Sequence, residues 1–171
     1  YKAIVKENEE MQDKLEKLET EILIAQKPVL FTDGKTDAKI LSVAWEKLYN
    51  YDCPFEIKSC DLMKEETTGN VSLAGAGMLK KILCTARYDS EKVIIGMFDN
   101  DMAGIKEFGL DNNYVLREDK NWKEHKNKKG FAFLIPTNEE TKKIAEGQNL
   151  SIEFLFEKET LNKEVNGKKL I

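Results

Sequence analysis

The chain has 171 residues, of which 41% are hydrophobic and 34% are charged, and its formal net charge is −4. This length suits one domain with a sizeable core plus an appendage, and the composition favours a folded body over a disordered chain. Cys53, Cys60, Cys84 and the single histidine, His125, lack the spacing of zinc ligands, and no apolar run is long enough to span a membrane. We therefore expect a cytoplasmic protein with reduced cysteines and no membrane partner.

Residues 1–27 are predicted to form a long amphipathic helix, ahead of a domain at residues 28–171. This stretch has no glycine, and its apolar residues recur at spacings of seven, four, three and four: Ile4, Met11, Leu15, Leu18 and Ile22. The helix could form a coiled coil in a homodimer, pack on the domain, or continue into an upstream region. Since the first residue is Tyr1 rather than methionine, we expect the chain to be part of a longer protein.

A strand, a turn and a helix are predicted between about residues 29 and 50. Proline at position 28 ends the first helix, Val29–Phe31 suits a buried strand, and apolar residues then recur at helical spacing. Asp33 lies at the end of this strand, where open α/β sheets bind their ligands. Asp37 lies one helical turn further on, where it could also cap the helix.

The next part of the chain is predicted to be an edge strand at residues 55–60, a loop at 64–77 and a helix from 78 to about 88. Gly75 and Gly77 precede that helix. Their backbone N–H groups could bind a phosphate at the helix N-terminus, or the two glycines could simply form a tight turn.

The apolar run at residues 93–98 predicts a buried strand with two acids at its end. Successive strand side chains face opposite ways, so Asp99 and Asp101 should project on the same side where the strand ends. Two carboxylates held this close repel each other, and a divalent cation is the usual compensation. A helix is predicted to follow from Met102 to Phe108.

Two more strands are predicted, at residues 113–116 and 130–135, with a charged loop at 117–129 between them. The loop could be a solvated connection. It could also contact nucleic-acid phosphates, with Trp122 available to stack on a base. The candidate phosphate contacts in it are Lys120, Lys123, Lys126 and Lys128.

Strands that alternate with helices after residue 28 predict an α/β fold with a mainly parallel sheet flanked by helices. The carboxyl ends of such strands share one edge, so Asp33 should meet Asp99 and Asp101 there. Oxygen ligands without histidine or cysteine favour Mg²⁺ or Mn²⁺, which commonly serve phosphoryl transfer. Glu153 is a lone acid in an apolar run, and it faces either solvent or this site.

Two segments give the chain a resemblance to a known family. Residues 32–37, Thr-Asp-Gly-Lys-Thr-Asp, follow one apolar strand, and residues 98–104, Phe-Asp-Asn-Asp-Met-Ala-Gly, end another. Together they resemble the Toprim domain over about residues 28–156. The chain is most similar to the C-terminal Toprim part of the OLD (overcoming lysogenisation defect) family of ATP-linked nucleases, whose motifs commonly read Glu-Gly-x-x-Asp and Asp-x-Asp. Residues 152–156 also resemble a late segment of that family.

The resemblance implies a Rossmann-like Toprim fold and a Mg²⁺- or Mn²⁺-dependent nuclease that cleaves DNA. Asp99 and Asp101 would hold one ion with Asp33, while Asp37 and Glu153 would contribute to a second. It further implies an upstream ATPase region and a role in defence against phage. Asp33 stands where the family commonly has glutamate, which keeps the charge but shortens the reach by a methylene.

Two alternatives stay open. The chain could be a degenerate Toprim domain that binds metal or nucleic acid, or that serves as an assembly module, because Asp33 replaces the usual glutamate. The Asp99 to Asp101 segment could also be the nucleophile loop of a haloacid-dehalogenase-type phosphatase. That loop normally lies on the first strand and continues into Gly-Thr, whereas Met-Ala-Gly follows here.

Overall fold

The computed structural model describes residues 26–63, 75–86, 92–118 and 121–161. The helix predicted before residue 26 lies outside these described residues, as does Lys120. None of the helices in the described ranges has both the length and the apolar character that crossing a bilayer requires.

Strands and helices alternate along the described residues. In chain order they are β1 (Val29–Thr32), α1 (Lys35–Leu48), β2 (Glu56–Ser59), a 3-10 turn (Cys60–Met63), α2 (Ala76–Thr85), β3 (Ile94–Phe98), β4 (Asn100–Asp101), α3 (Met102–Glu107), β5 (Tyr114–Leu116), β6 (Trp122–His125), β7 (Gly130–Leu134), α4 (Lys142–Glu146), β8 (Asn149–Leu150), a second 3-10 turn (Ile152–Leu155) and α5 (Lys158–Leu161). The predicted α/β class is confirmed.

The described strands form a six-stranded sheet in the order β2-β1-β3-β7-β6-β5. The first four strands in this order are parallel, whereas β6 runs antiparallel to both β7 and β5. The mainly parallel sheet is therefore confirmed. The prediction of a single loop at residues 117–129 is wrong, because β6 lies within that range. Its sequence, Trp-Lys-Glu-His, is nearly all polar, and its place between two strands provides the backbone pairing that its composition does not indicate.

Apolar side chains on the two faces of the sheet build two cores. Val29 and Phe31 of β1 face α2 and α3, where they join a cluster that includes Leu79 and Leu83. The alternate residue, Leu30, faces the other way and joins a cluster with side chains from α1 and α4. Helices thus cover both faces, as the alternation along β1 requires.

The parallel strands begin along one side of the sheet and end along the opposite side, and different connections lie at each. We call the edge where β1, β3 and β7 end the carboxyl edge, and the opposite one the amino edge. Trp122 at the start of β6 pairs with Phe133 near the end of β7, so the β5–β6 connection lies at the carboxyl edge. The turn between β6 and β7 lies at the amino edge, since β7 begins there.

Candidate metal centre

Two adjacent parallel strands bring Asp33 and Asp99 together. Thr32, the last residue of β1, pairs with Met97 of β3, so Asp33 and Asp99 follow immediately beyond the paired segments at the carboxyl edge. The backbone N–H of Ile135 donates to the Phe98 carbonyl at 2.9 Å and fixes the end of β3 against the chain that leaves β7. The meeting of two acids that are distant in sequence follows from this strand order.

A tight turn folds Asp37 back onto the same point. Asp37 lies in the first turn of α1 and is only 6% exposed. Its carboxylate accepts a hydrogen bond from the Gly34 backbone N–H at 3.1 Å, and the Thr32 hydroxyl donates to the Gly34 carbonyl at 2.8 Å. A Cβ atom at position 34 would lie 2.9 Å from the Asp37 carboxylate, so glycine is the residue that admits this approach.

Asp33, Asp37 and Asp99 each place a carboxylate oxygen within 4.8 Å of those of the other two. Burial, a hydrogen bond with Asp37 and the charge of Asp99 raise the pKa of Asp33 to about 8. Burial and the charges of Asp37 and of nearby acids raise the pKa of Asp99 to about 7. Without a cation, Asp33 therefore carries a proton at neutral pH and can share it with Asp37.

The buried oxygen Oδ1 of Asp99 has no hydrogen-bond partner. Burying a carboxylate oxygen without a hydrogen bond costs free energy. The backbone N–H of Ile152 donates to the Asp99 carboxylate and partly offsets that cost. Oxygens bound to one Mg²⁺ at about 2.1 Å lie at most about 4.2 Å apart. The three carboxylates are close to that spacing and offer only hard oxygen donors, so the residues fit a divalent cation.

Asp101 lies beside this group but serves mainly as a helix cap. Its Oδ1 accepts a hydrogen bond from the Gly104 backbone N–H at 2.7 Å, at the start of α3. A Cβ atom at Gly104 would lie 2.0 Å from the Asp99 carbonyl oxygen, which shows how closely α3 approaches the end of β3. The charge of Asp101 still contributes to the raised pKa of both Asp33 and Asp99.

A short antiparallel pairing brings Glu153 to the site. Strands β4 and β8 pair Asn100 with Leu150 and Asp101 with Asn149, and the 3-10 turn with Glu153 follows. The charge of Glu153 raises the pKa of Asp99, which places this acid near the group of three. Glu153 is not among the three acids whose oxygens lie within 4.8 Å of one another, so its part in ion binding stays a prediction.

Gly75 and Gly77 lie at the beginning of α2, on the same edge as Asp33. The buried Cys60 links the two regions, because its thiol sulfur lies 3.2 Å from the Asp33 carbonyl oxygen and 3.4 Å from that of Gly75. Burial raises the pKa of Cys60 to about 12, so the thiol keeps its proton and can donate it. The predicted phosphate contact at this helix start therefore lies next to the carboxylates.

The predicted lysine arm is divided between different parts of the fold. Lys123 lies on β6, donates to the Gly109 carbonyl at 3.0 Å and covers the Phe108 ring at 5.0 Å. Burial lowers its pKa. Lys126 and Lys128 lie in the turn at the amino edge, roughly 13 Å from the carboxyl edge along a five-residue strand. Their predicted contact with nucleic-acid phosphates stays a prediction, and from this turn it would be made away from the metal centre.

Three groups that shape the site were missed by the sequence analysis: the thiol of Cys60, the hydroxyl of Thr32 and the backbone N–H of Ile152. None of them belongs to a metal-ligand pattern, and each acts through hydrogen bonds whose partners are distant in sequence or on the backbone. Their only sequence signal is position, at the end of a strand or beside Glu153.

Comparisons with protein-family models, with curated proteins and with solved structures found no match to this chain.

Proposed function

We propose that this chain is a Toprim-like, Mg²⁺- or Mn²⁺-dependent nuclease that hydrolyses phosphodiester bonds in DNA. The observation that carries the proposal is the convergence of Asp33, Asp37 and Asp99 at the ends of two neighbouring strands, with one buried oxygen of Asp99 left without a partner. Three acids held together, two of them with pKa values raised by burial and by their neighbours, are typical of a functional site.

The residues of the site divide into those that hold an ion and those that position them. Asp33, Asp37 and Asp99 would hold it, and Glu153 would contribute to a second ion with Asp37. Asp101 positions the end of β3 through its cap of α3. A bound divalent ion would polarise the phosphorus centre and stabilise the leaving oxygen. Asp33 is also the candidate general base, acting through a water, since its pKa of about 8 lies close to neutral pH.

The carboxyl edge supplies two flanking contacts for a DNA strand. On one side, the backbone N–H groups at the start of α2, near Gly75 and Gly77, suit a phosphate. On the other side lies the start of β6, where the half-buried Trp122 is a candidate contact to a base. Lys120, which lies outside the described residues, stays a candidate contact to phosphate. The resemblance also implies an upstream ATPase region, and it is compatible with a homodimer.

Cleavage of supercoiled plasmid with Mn²⁺ or Mg²⁺, and with EDTA, tests this function. We expect cleavage that needs the ion and that Asp99→Asn abolishes. The matched control is Asp52→Asn, an exposed aspartate in the connection that enters β2 at the amino edge. Full cleavage by Asp99→Asn would contradict the proposal.

The same preparations separate the alternatives. Mn²⁺ binding without cleavage of DNA or RNA would indicate a degenerate domain. A covalent aspartyl-phosphate at Asp99, trapped with a phosphate analogue, would indicate a phosphatase instead.

A further inference from the structure

An aromatic groove of about 460 Å³ lies at the amino edge, between the end of α1 and the start of β2. Its wall is a cluster of rings in which Trp45 lies 4.3 Å from Tyr49, 5.5 Å from Tyr51 and 5.4 Å from Phe55, between centroids. The Trp45 indole N–H donates to the Tyr51 carbonyl at 3.0 Å, which fixes the ring. The Trp45 ring is therefore held in place at one wall of the groove, and residues 49–55 of the connection into β2 form much of the rest.

The groove is bordered by apolar side chains that are exposed. Leu48 is 73% exposed, Tyr51 is 61% exposed and Tyr49 is 43% exposed. Single exposed apolar residues are ordinary, but two of these three, Tyr49 and Tyr51, line the groove itself, which makes it a surface of the kind that a partner covers.

The chain reaches the domain beside this groove. Lys27 donates through its Nζ atom to the Cys53 carbonyl at 3.4 Å, and Cys53 lines the groove. The Glu56 backbone N–H donates to the Pro28 carbonyl at 2.8 Å, so residues 27 and 28 lie against the start of β2. Gln26, the first described residue, is helical. Lys27 and Pro28, which join the preceding residues to the domain, therefore lie beside the groove.

We propose that residues 1–25 pack the apolar side of their predicted helix into this groove of the same chain. Ile22 is five residues before Lys27, about 7.5 Å along a helix, and Leu18 lies about 6 Å further on the same side. Both apolar residues therefore fall on one side of the predicted helix, close to its junction with the domain. The upstream region is then held at the amino edge, which leaves the carboxyl edge with its carboxylates open.

A disulfide cross-link tests this packing in the full chain, because native Cys53 is a free, half-buried thiol in the groove. Under mild oxidation, Ile22→Cys should bond to Cys53 within one chain at least about tenfold faster than Thr20→Cys, which lies about 160° away around the helix. Peptide mapping identifies the pair, and Cys53→Ser should abolish it. Equal rates at both positions would overturn the proposal. Cross-linked dimers would overturn it too, since they place the segment on a second copy.

Fluorescence gives a second measurement that needs no oxidation. In a Trp122→Phe background Trp45 is the remaining tryptophan. Leu18→Glu should shift its emission to longer wavelength and increase quenching by acrylamide, while Thr20→Glu should change neither. If circular dichroism shows that the Leu18→Glu chain is folded and its Trp45 emission spectrum is unchanged, docking is refuted.

Discussion

Ion binding at the metal centre should depend strongly on pH. Burial and neighbouring acids raise the pKa of Asp33 to about 8 and that of Asp99 to about 7, so an ion must displace protons from both below pH 7. At pH 6 these values leave about 1% of Asp33 and about 10% of Asp99 ionised, against most of both at pH 8.5. We therefore expect the affinity for Mn²⁺ to rise on the order of 10³-fold between pH 6 and pH 8.5.

Isothermal titration calorimetry in two buffers of different ionisation enthalpy measures both the affinity and the protons released. About two protons should leave per ion at pH 6, and Asp33→Asn should reduce this to about one. Asp52→Asn should leave the count unchanged. A constant affinity from pH 6 to pH 8.5, without proton release, would show that these carboxylates do not share an ion.

The stability of the ion-free chain should change in the opposite direction. A carboxyl whose pKa is raised in the folded state adds stability at low pH, below its unfolded value of 3.8. That contribution is lost as the pH rises through about 7 and 8, where Asp99 and Asp33 ionise in the folded chain. Because solvent screens both partly exposed groups, we expect a loss on the order of 3 kcal/mol in the free energy of unfolding. Denaturant titrations with EDTA and with Mn²⁺ measure it, and saturating Mn²⁺ should remove it.

Four further changes test the surroundings of the site. Gly104→Ala brings a Cβ to 2.0 Å from a backbone oxygen, so denaturant titration should show that the free energy of unfolding falls by roughly 2–4 kcal/mol. Ion binding should be lost in the same variant. Gly96→Ala meets only the end of a leucine side chain at 2.6 Å and should lose about 1 kcal/mol with ion binding intact, so equal effects at both glycines would contradict this contrast. Lys126→Ala with Lys128→Ala should leave plasmid cleavage unchanged, whereas slower cleavage would return the amino-edge turn to the DNA interface. Asp33→Glu should slow cleavage about 10²-fold, and faster cleavage would identify Asp33 as a defect.

The strand ends explain why much of the site could be predicted. An apolar run that stops at an acid predicts both a buried strand and an acidic side chain at its end. This pattern was sufficient to place Asp33 and Asp99 at the same edge of the sheet. Parallel strands then bring their ends to one edge whatever residues lie between them. Period-2 alternation also placed Asp101 near Asp99, but it could not reveal that Asp101 caps α3, because a cap depends on where the next helix begins.

The rest depended on pairing that leaves little trace in the sequence. The two-residue strands β4 and β8 are too short for any hydrophobic period, yet their pairing brings Glu153 near Asp99. The polar strand β6 is likewise set by its neighbours. Its direction sends Lys126 to the amino edge, while the start of the strand lies at the carboxyl edge. Counting positive charges along residues 117–129 could not separate those two edges.

The spacing of the strands bears on why the site uses aspartate at position 33. Adjacent strands lie about 4.8 Å apart, so the carboxylates that follow β1 and β3 have to cross only one such spacing to meet. Asp33 already reaches Asp37 and Asp99, and Gly34 lets the Asp37 carboxylate fold back to close the group. One more methylene would move the carboxylate by about 1.5 Å, past a position that the short side chain fills. The shorter acid therefore already spans the distance between the neighbouring strand ends, so the shorter reach of Asp33 does not by itself mark a degenerate site.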